Sequence, residues 1–460
     1  MFKEYIDKNA VKLIKLIQSN GNKAYLVGGC VRDMMMGVKP HDFDICTNAE
    51  PYSILVLLSK HNIRYTTVGI TFGTVVAHIN SNEYEITTFR TDTQTSMKHR
   101  PDEVKFTTSI EDDLARRDFT INAMAYDPIE DNLIDLFGGK ADIENKVIKA
   151  VREPNTRIQE DPLRILRALR FSIVLGFDIE DSTFDAMISN KELLDNLSKE
   201  RITSELRKIL TSGKEIKQHF LKCSDIIVQI IPEMKPCVGF NQNNRYHTHN
   251  VYEHILYVVD YCKTNDFEIK LAALLHDIGK PKAYVVGPDG YGHFYGHEGI
   301  SAEIAVSAMV KNLRLTADEE LHIATLIKYH DMELMETTKS LKKAISKVGK
   351  ELMEKWFILK QADRDDHIYP DNRHAQNLPR LNEIYHEVLK EKPCFKVTDI
   401  EISGNDIMDI LCIKPGRQVG YILNKLKDEV LSEELENDHE KLMARAMEIS
   451  KTEEFINAKA

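Results

Sequence analysis

The residues best suited to chemistry lie in LVGGCVRDMMMGVKPHDFDICT, from Leu26 to Thr47. An apolar run ends at Gly28 and Gly29, and a helical pattern starts at Val31. Glycines let a backbone approach phosphate oxygens closely, and a helix N-terminus offers unpaired N–H groups to them. Farther on, Asp42 and Asp44 flank Phe43. Alternate residues of a strand share one face, so this spacing predicts two parallel carboxylates with the phenyl ring turned inward. Such a pair suits two Mg²⁺ ions about 4 Å apart, as in phosphoryl transfer. A third acid is expected on a neighbouring strand. Glu85 in YEITTFR is the first choice, with Glu83 on the same face as the alternative. No GxxxxGK[ST] occurs, which excludes P-loop phosphate chemistry.

A second set of ligand types comprises His254 in HNVYEH, His276-Asp277 in LAALLHDIGK and Asp363 in LKQADRDD. Each falls on an apolar-patterned helix, where side chains converge inside a bundle. Imidazoles and carboxylates suit a divalent transition metal or Mg²⁺, with positions left for water and a phosphate. His297 in GHEG and His330 in YHD are candidates for holding a second ion. His249 and His293 fit no ligand position. VVGPDGYGHFYGHEG reads as a surface loop.

The elements that must position these groups follow from periodicity. Over residues 1–140, runs such as AYLVGG, TVVAHI and YEITTF alternate with helical patterns, giving α/β structure with a small mixed sheet. From 141 onward strand signals almost vanish, and the fold class is α+β. The 460 residues suggest roughly three domains. No apolar run approaches the ~18 residues of a membrane helix. The N-terminal stretch reads as an amphipathic helix rather than a signal peptide. Seven scattered cysteines without a CxxC fit a reduced, cytoplasmic setting. The net charge of −11 excludes a globally basic nucleic-acid binder, so any contact with RNA must be local.

Taken in order, LVGGCVRD, HDFD, RRDFTINAMAYD (Arg116 to Asp127), DLFGG (Asp135 to Gly139) and EDPLRILRALRF (Glu160 to Phe171) resemble the class II tRNA nucleotidyltransferases, the CCA-adding enzymes. These belong to the DNA polymerase beta-like nucleotidyltransferase superfamily. The resemblance implies template-independent addition of C, C and A to the tRNA 3′ end from CTP and ATP, with Mg²⁺ on Asp42 and Asp44. It implies that Arg32 and Asp33 help position the triphosphate, and that Arg117, Asp118 and Asn122 lie near the ribose. DLFGG would be a flexible hinge, and Met97 to Thr107 a mobile loop.

Asp161 and Arg164, three residues apart, are expected on one helix face. A carboxylate accepts from an exocyclic amino group and a guanidinium donates to the adjacent acceptor, so the pair suits C and A and rejects U and G. Arg164, Arg167 and Arg170 make a basic stripe for a triphosphate or a tRNA backbone. The histidine block resembles the HD-domain phosphohydrolases. The expected division is a nucleotidyltransferase head at 1–140, a helical neck at 141–235, an HD domain at 236–372 and a tRNA-binding tail at 373–460. In the tail, Pro415 and Gly416 would start a helix whose N–H groups, with Arg417, hold an RNA phosphate. The rival readings are a poly(A) polymerase, an enzyme adding only CC or only A, a signalling protein that modifies a regulatory protein, and an inactive RNA-binding module. No membrane association is expected, and the oligomeric state is left open.

Overall fold

The computed structural model describes residues 2–92, 104–244, 248–366, 377–390, 397–432, 434–452 and 454–455. The chain forms two compact units, Met1–Pro232 with Asn312–Arg314, and Glu233–Lys311 with Leu315–Ala460.

The first unit is built on one sheet: β1 (Ala24–Val27), β2 (Ile45–Thr47), β3 (Arg64–Thr66), β4 (Thr74–Ile79), β5 (Asn82–Thr88), β6 (Met124–Asp127) and β7 (Asn132–Asp135). Their spatial order is β3-β4-β5-β2-β1-β6-β7. Only the β2–β5 pairing within it is parallel. The N-terminal helix Lys8–Gln18 buries Ala10, Leu13, Ile14 and Ile17, the stripe that the amphipathic pattern predicts. Val27, Cys46, Phe89, Ile110, Leu114 and Ala125 form one apolar cluster.

DLFGG, the expected hinge, leads from β7 into a capped helix. Asp135 accepts from the backbone N–H groups of Gly139 (2.8 Å) and Lys140 (2.9 Å), capping the helix Gly139–Glu144. A Cβ on Gly139 would stand 2.2 Å from the Thr120 carbonyl oxygen. Gly139→Ala therefore costs about 1–3 kcal/mol, or more if the backbone must shift, and lowers the thermal midpoint measured by circular dichroism. Of the expected mobile loop, 97–103 lie outside the described residues, and Val104–Phe106 pairs with Arg90–Asp92.

Beyond residue 150 the structure is helical apart from two-residue strand pairs. In the second unit the helices Val251–Tyr261, Phe267–Leu275, His297–Asn312, Ala317–Tyr329 and Met353–Asp365 carry the histidines and aspartates, at or next to helix ends in most cases. The last three helices, Gly404–Leu411, Arg417–Leu431 and His439–Ile449, close around Ile407, Ile422, Leu426, Leu442 and Ala446. Among the described residues no helix is long and apolar enough to cross a membrane.

Candidate active sites

Asp42 and Asp44 lie just before β2 rather than within it, because the strand begins at Ile45. The expected alternation still holds. Phe43 is buried and both aspartates are exposed, while the Val27 N–H donates to the Asp44 carbonyl at 3.0 Å and ties this approach to β1. The parallel register sets Ile45 beside Ile86, so one step back brings Asp44 level with Glu85. Glu83 is two residues farther along and sits 3.4 Å from His78 Nδ1. Register thus favours Glu85 as the third acid. Loss of hydration, then Glu85, push the Asp44 carboxyl up to about 6; Arg117 opposes this and Asp42 adds to it. Carboxylates that raise one another in this way are relieved by a cation.

Gly28 turns the chain from β1 into the helix Gly29–Met35 with φ of 78°, a conformation open to glycine and costly for other residues. A Cβ there would stand 3.0 Å from Arg117 Nη1. Arg117 reaches this place because Asp113 anchors it at 3.2 Å, and Asp113 also binds Arg116 at 2.9 Å. Burial alone would raise the Asp113 carboxyl, but Arg117 and Arg116 hold it below the usual range. The sequence reading did not single out Asp113.

Arg32, Asp33, Asn122, Asp118 and Arg167, all expected at the nucleotide, form one hydrogen-bonded network. Arg32 donates to Asp33 (2.7 and 2.9 Å) and to the Asn122 side-chain oxygen (2.7 Å). Asn122 donates to Asp118 (3.2 Å), and Asp118 accepts from Arg167 Nε at 2.8 Å. Arg170 donates to Glu205 at 2.6 Å. Phe171 lies under the guanidinium groups of Arg32, Arg167 and Arg170, with that of Arg170 4.2 Å from the ring centre. The expected basic stripe is thus only partly exposed: Arg164 is buried, and Asp118 and Glu205 pair with the half-buried Arg167 and Arg170.

A second correction concerns Asp161 and Arg164, which do not share a helix face. Asp161 terminates the helix Pro154–Glu160 in an extended conformation, and the next helix starts at Leu163. Pro162 is the cause, since a residue preceding proline is driven out of the helical region. Arg201 grips Asp161 at 2.9 Å. Arg164 donates to the Arg116 carbonyl (2.8 Å), the Arg157 carbonyl and Glu160 (3.1 Å). Both groups are fixed by partners across the break.

The second site is a buried cage. His254, His276 and Asp363 place ligand atoms within 4.8 Å of one another, as do His276, Asp277 and His330. Asp277 faces both groups. Its Oδ2 lies 3.2 Å from His254 Nε2 and 3.3 Å from His276 Nε2, and its Oδ1 lies 3.2 Å from His297 Nε2 and 3.7 Å from His330 Nε2. The Nδ1 groups of His276, His297 and His330 meet backbone carbonyls at 2.8, 2.9 and 2.7 Å. A carbonyl only accepts, so each Nδ1 carries a hydrogen and each ring turns its Nε2 inward, the atom free to serve as a ligand when the ring is neutral. His254 is held likewise by Asp366 at 2.8 Å.

The geometry fits divalent ions. His254 and His276 bring their Nε2 atoms within 3.3 Å, and His297 and His330 do the same. Two N–H groups cannot share such a gap. Burial and Lys280 pull the His254 pKa down, yet hydrogen bonds that its ring donates to Asp277, Asp363 and Asp366 carry it up to about 10. The buried carboxylates thus favour positive charge beside them, which a divalent ion held by these rings would supply. Two further groups escaped the sequence reading although HDIGK and DRDD contain them. Lys280 lies 2.7 Å from Asp277 Oδ2 and donates to Gln242 at 3.0 Å, and Asp366 also meets His249 at 3.2 Å. The glycine-rich segment is no mere surface loop, since its residues 291–298 help to line a cavity of about 490 Å³ that opens on Asp277, His297, His330 and Asp363. In the tail the helix does begin at Arg417, directly after Gly416.

Comparison with known proteins places these sites in context. Residues 24–149 match a family model described as the poly A polymerase head domain, 176–237 an RNA and SrmB-binding site of polymerase A, and 305–446 a tRNA nucleotidyltransferase domain 2. The fold resembles a Bacillus stearothermophilus CCA-adding enzyme in complex with CTP, with a TM-score of 0.70 at 24% identity over 97% of this chain and 98% of that one. It also resembles a Thermotoga maritima CCA-adding enzyme complexed with tRNA, with a TM-score of 0.54 at 19% identity over 98% of each chain. In sequence, a CCA-adding enzyme of Streptococcus thermophilus is 30% identical over 95% of this chain and 96% of its own length. That of Ligilactobacillus salivarius is 31% identical over 446 residues, 96% of each protein, and with a match of that extent the chain belongs to the CCA-adding enzyme family.

Proposed function

We propose that the protein adds C, C and A to the 3′ end of tRNA from CTP and ATP, without a nucleic-acid template. The observation that carries this reading is the register that brings Asp44 level with Glu85, on an approach bonded to Val27 directly before the Gly28 turn. Asp42 and Asp44 are the residues to hold divalent ions, with Glu85 beside them. Bound Mg²⁺ would activate the tRNA 3′-hydroxyl for in-line attack on the α-phosphate and neutralise the departing pyrophosphate. Gly28 lets the backbone approach the phosphates, and Arg32, steered by Asp33 and Asn122, aims its charge toward them. Asp161 accepts from the amino group of cytosine or adenine, and Arg164 donates to the neighbouring ring acceptor. Because Arg201 and three oxygen partners fix this pair, a single arrangement serves both bases.

The test supplies tRNA ending at the discriminator base, Mg²⁺ and each labelled triphosphate alone or combined. CTP alone gives two added residues, CTP with ATP gives three, and UTP or GTP gives none. Asp161→Ala brings incorporation of UTP within about a hundredfold of CTP, since one lost base contact is worth about 1–3 kcal/mol. A match to the poly A polymerase head domain favours a second reading, which long A tails without CTP would reveal.

The histidine cage supports a second activity, metal-dependent hydrolysis of phosphoesters. His254, His276, Asp277 and Asp363 would hold one ion, and His297 and His330 with Asp277 another. Against burial, His276 and then Lys280 hold the Asp277 carboxyl well below the usual range, and Lys280 places its ammonium group beside the cavity.

A further inference from the structure

We propose that Tyr295 and His293 form a stacking seat for a nucleobase in the cavity beside the histidine cage, so that the ester brought to that cage is a nucleoside phosphoester. This rests on the hydrolytic reading of the cage and adds a recognition element to it. The two rings are parallel within 3°, with centres 5.3 Å apart. Both line the cavity that opens on Asp277, His297 and His330. Tyr295 is 74% exposed, so its ring adds a broad accessible aromatic surface beside His293.

The pair is held in place. His293 Nε2 bonds Asp289 at 3.1 Å, and a Cβ on Gly287 would stand 2.5 Å from the His293 ring, so only glycine admits this approach. The Gly292 N–H donates to the Asn243 carbonyl at 2.7 Å, fixing the strand that carries His293. A volume of about 490 Å³ falls within the range of small-ligand pockets. Stacking engages the face of a base and ignores its edge, so all four bases are accepted. In the reaction, a water oxygen attacks phosphorus, the bond from phosphorus to a ribose oxygen breaks, and the proton of the water passes to that leaving oxygen.

The experiment compares the manganese-loaded full-length protein with its Tyr295→Ala and Tyr295→Phe variants on three substrates. These are a nucleoside 2′,3′-cyclic phosphate, an RNA oligomer ending in one, and glycerol 1,2-cyclic phosphate, which has no base. Tyr295→Ala raises KM about tenfold on the substrates that carry a base and leaves glycerol cyclic phosphate unchanged, while Tyr295→Phe behaves as the parent. Equal efficiency on mononucleotide and oligomer identifies the free nucleotide as sufficient, and preference for the oligomer identifies an RNA end. An unchanged ratio of nucleoside to glycerol substrate in Tyr295→Ala overturns the seat. If the parent hydrolyses none of the three, the hydrolytic reading fails and equilibrium dialysis of labelled nucleoside 3′-monophosphate decides the seat. About tenfold weaker binding by Tyr295→Ala then upholds it, and equal or absent binding overturns it.

Discussion

Alanine at Asp42 or at Asp44 is expected to lower nucleotide incorporation into tRNA by about a thousandfold or more. On the proposed mechanism each substitution would remove a ligand from the ions that activate the attacking hydroxyl and offset phosphate charge, and several kcal/mol of transition-state stabilisation would go with it. Folding should not suffer, because both side chains are exposed and Phe43 between them keeps its place in the core. Relief of the mutual repulsion with Glu85 that raises Asp44 works in the stabilising direction. Thermal melts of the two variants should thus match the parent while single-turnover incorporation collapses. Glu85→Ala, measured in the same way, separates this acid from Glu83, whose loss should change the rate little.

The second large effect concerns the cage. His276 belongs to both groups of converging ligands, so His276→Ala lowers the affinity for divalent ions at both by more than about a hundredfold. Bound metal, counted by mass spectrometry after gel filtration, should fall accordingly. Asp277→Ala adds a structural penalty, because Lys280 is buried against the Asp277 carboxylate and would lose that counter-charge while keeping its bond to Gln242. Removing one member of such a pair costs about 3–5 kcal/mol, so melting should show a loss for Asp277→Ala that Asp277→Asn reduces. Both changes leave CTP and ATP incorporation intact if the two sites work independently. Loss of incorporation in a well-folded His276→Ala protein would argue against that division.

Much of the first site was legible because short-range rules act there. Alternation about Phe43 places two acids on one side without knowledge of the rest of the fold. The glycine pair and its helix are likewise local, and parallel register then distinguishes Glu85 from Glu83. The neck was read less well. The spacing of Asp161 and Arg164 suggested one helix face, yet Pro162 between them already carried the signal for a break. The arginines at 164, 167 and 170 looked like a surface stripe because their partners, Asp118 and Glu205 among them, are distant in sequence. Pairing of a buried arginine with a remote acid leaves no periodic mark. In the second unit the histidines and aspartates that converge were legible from residue type and order. Lys280, three residues from Asp277 within HDIGK, was within reach of the same local rules, whereas the contacts of Asp366 and the cavity wall around Tyr295 emerge only when segments far apart in the chain are packed together.

The most direct measurement of the central claim is anomalous diffraction from crystals holding Mn²⁺ and a non-hydrolysable CTP analogue. The expected result is manganese density in contact with Asp42 and Asp44, adjoining the triphosphate that Arg32 faces. Triphosphate density with manganese distant from both aspartates, or a nucleotide seated elsewhere on the chain, would contradict it.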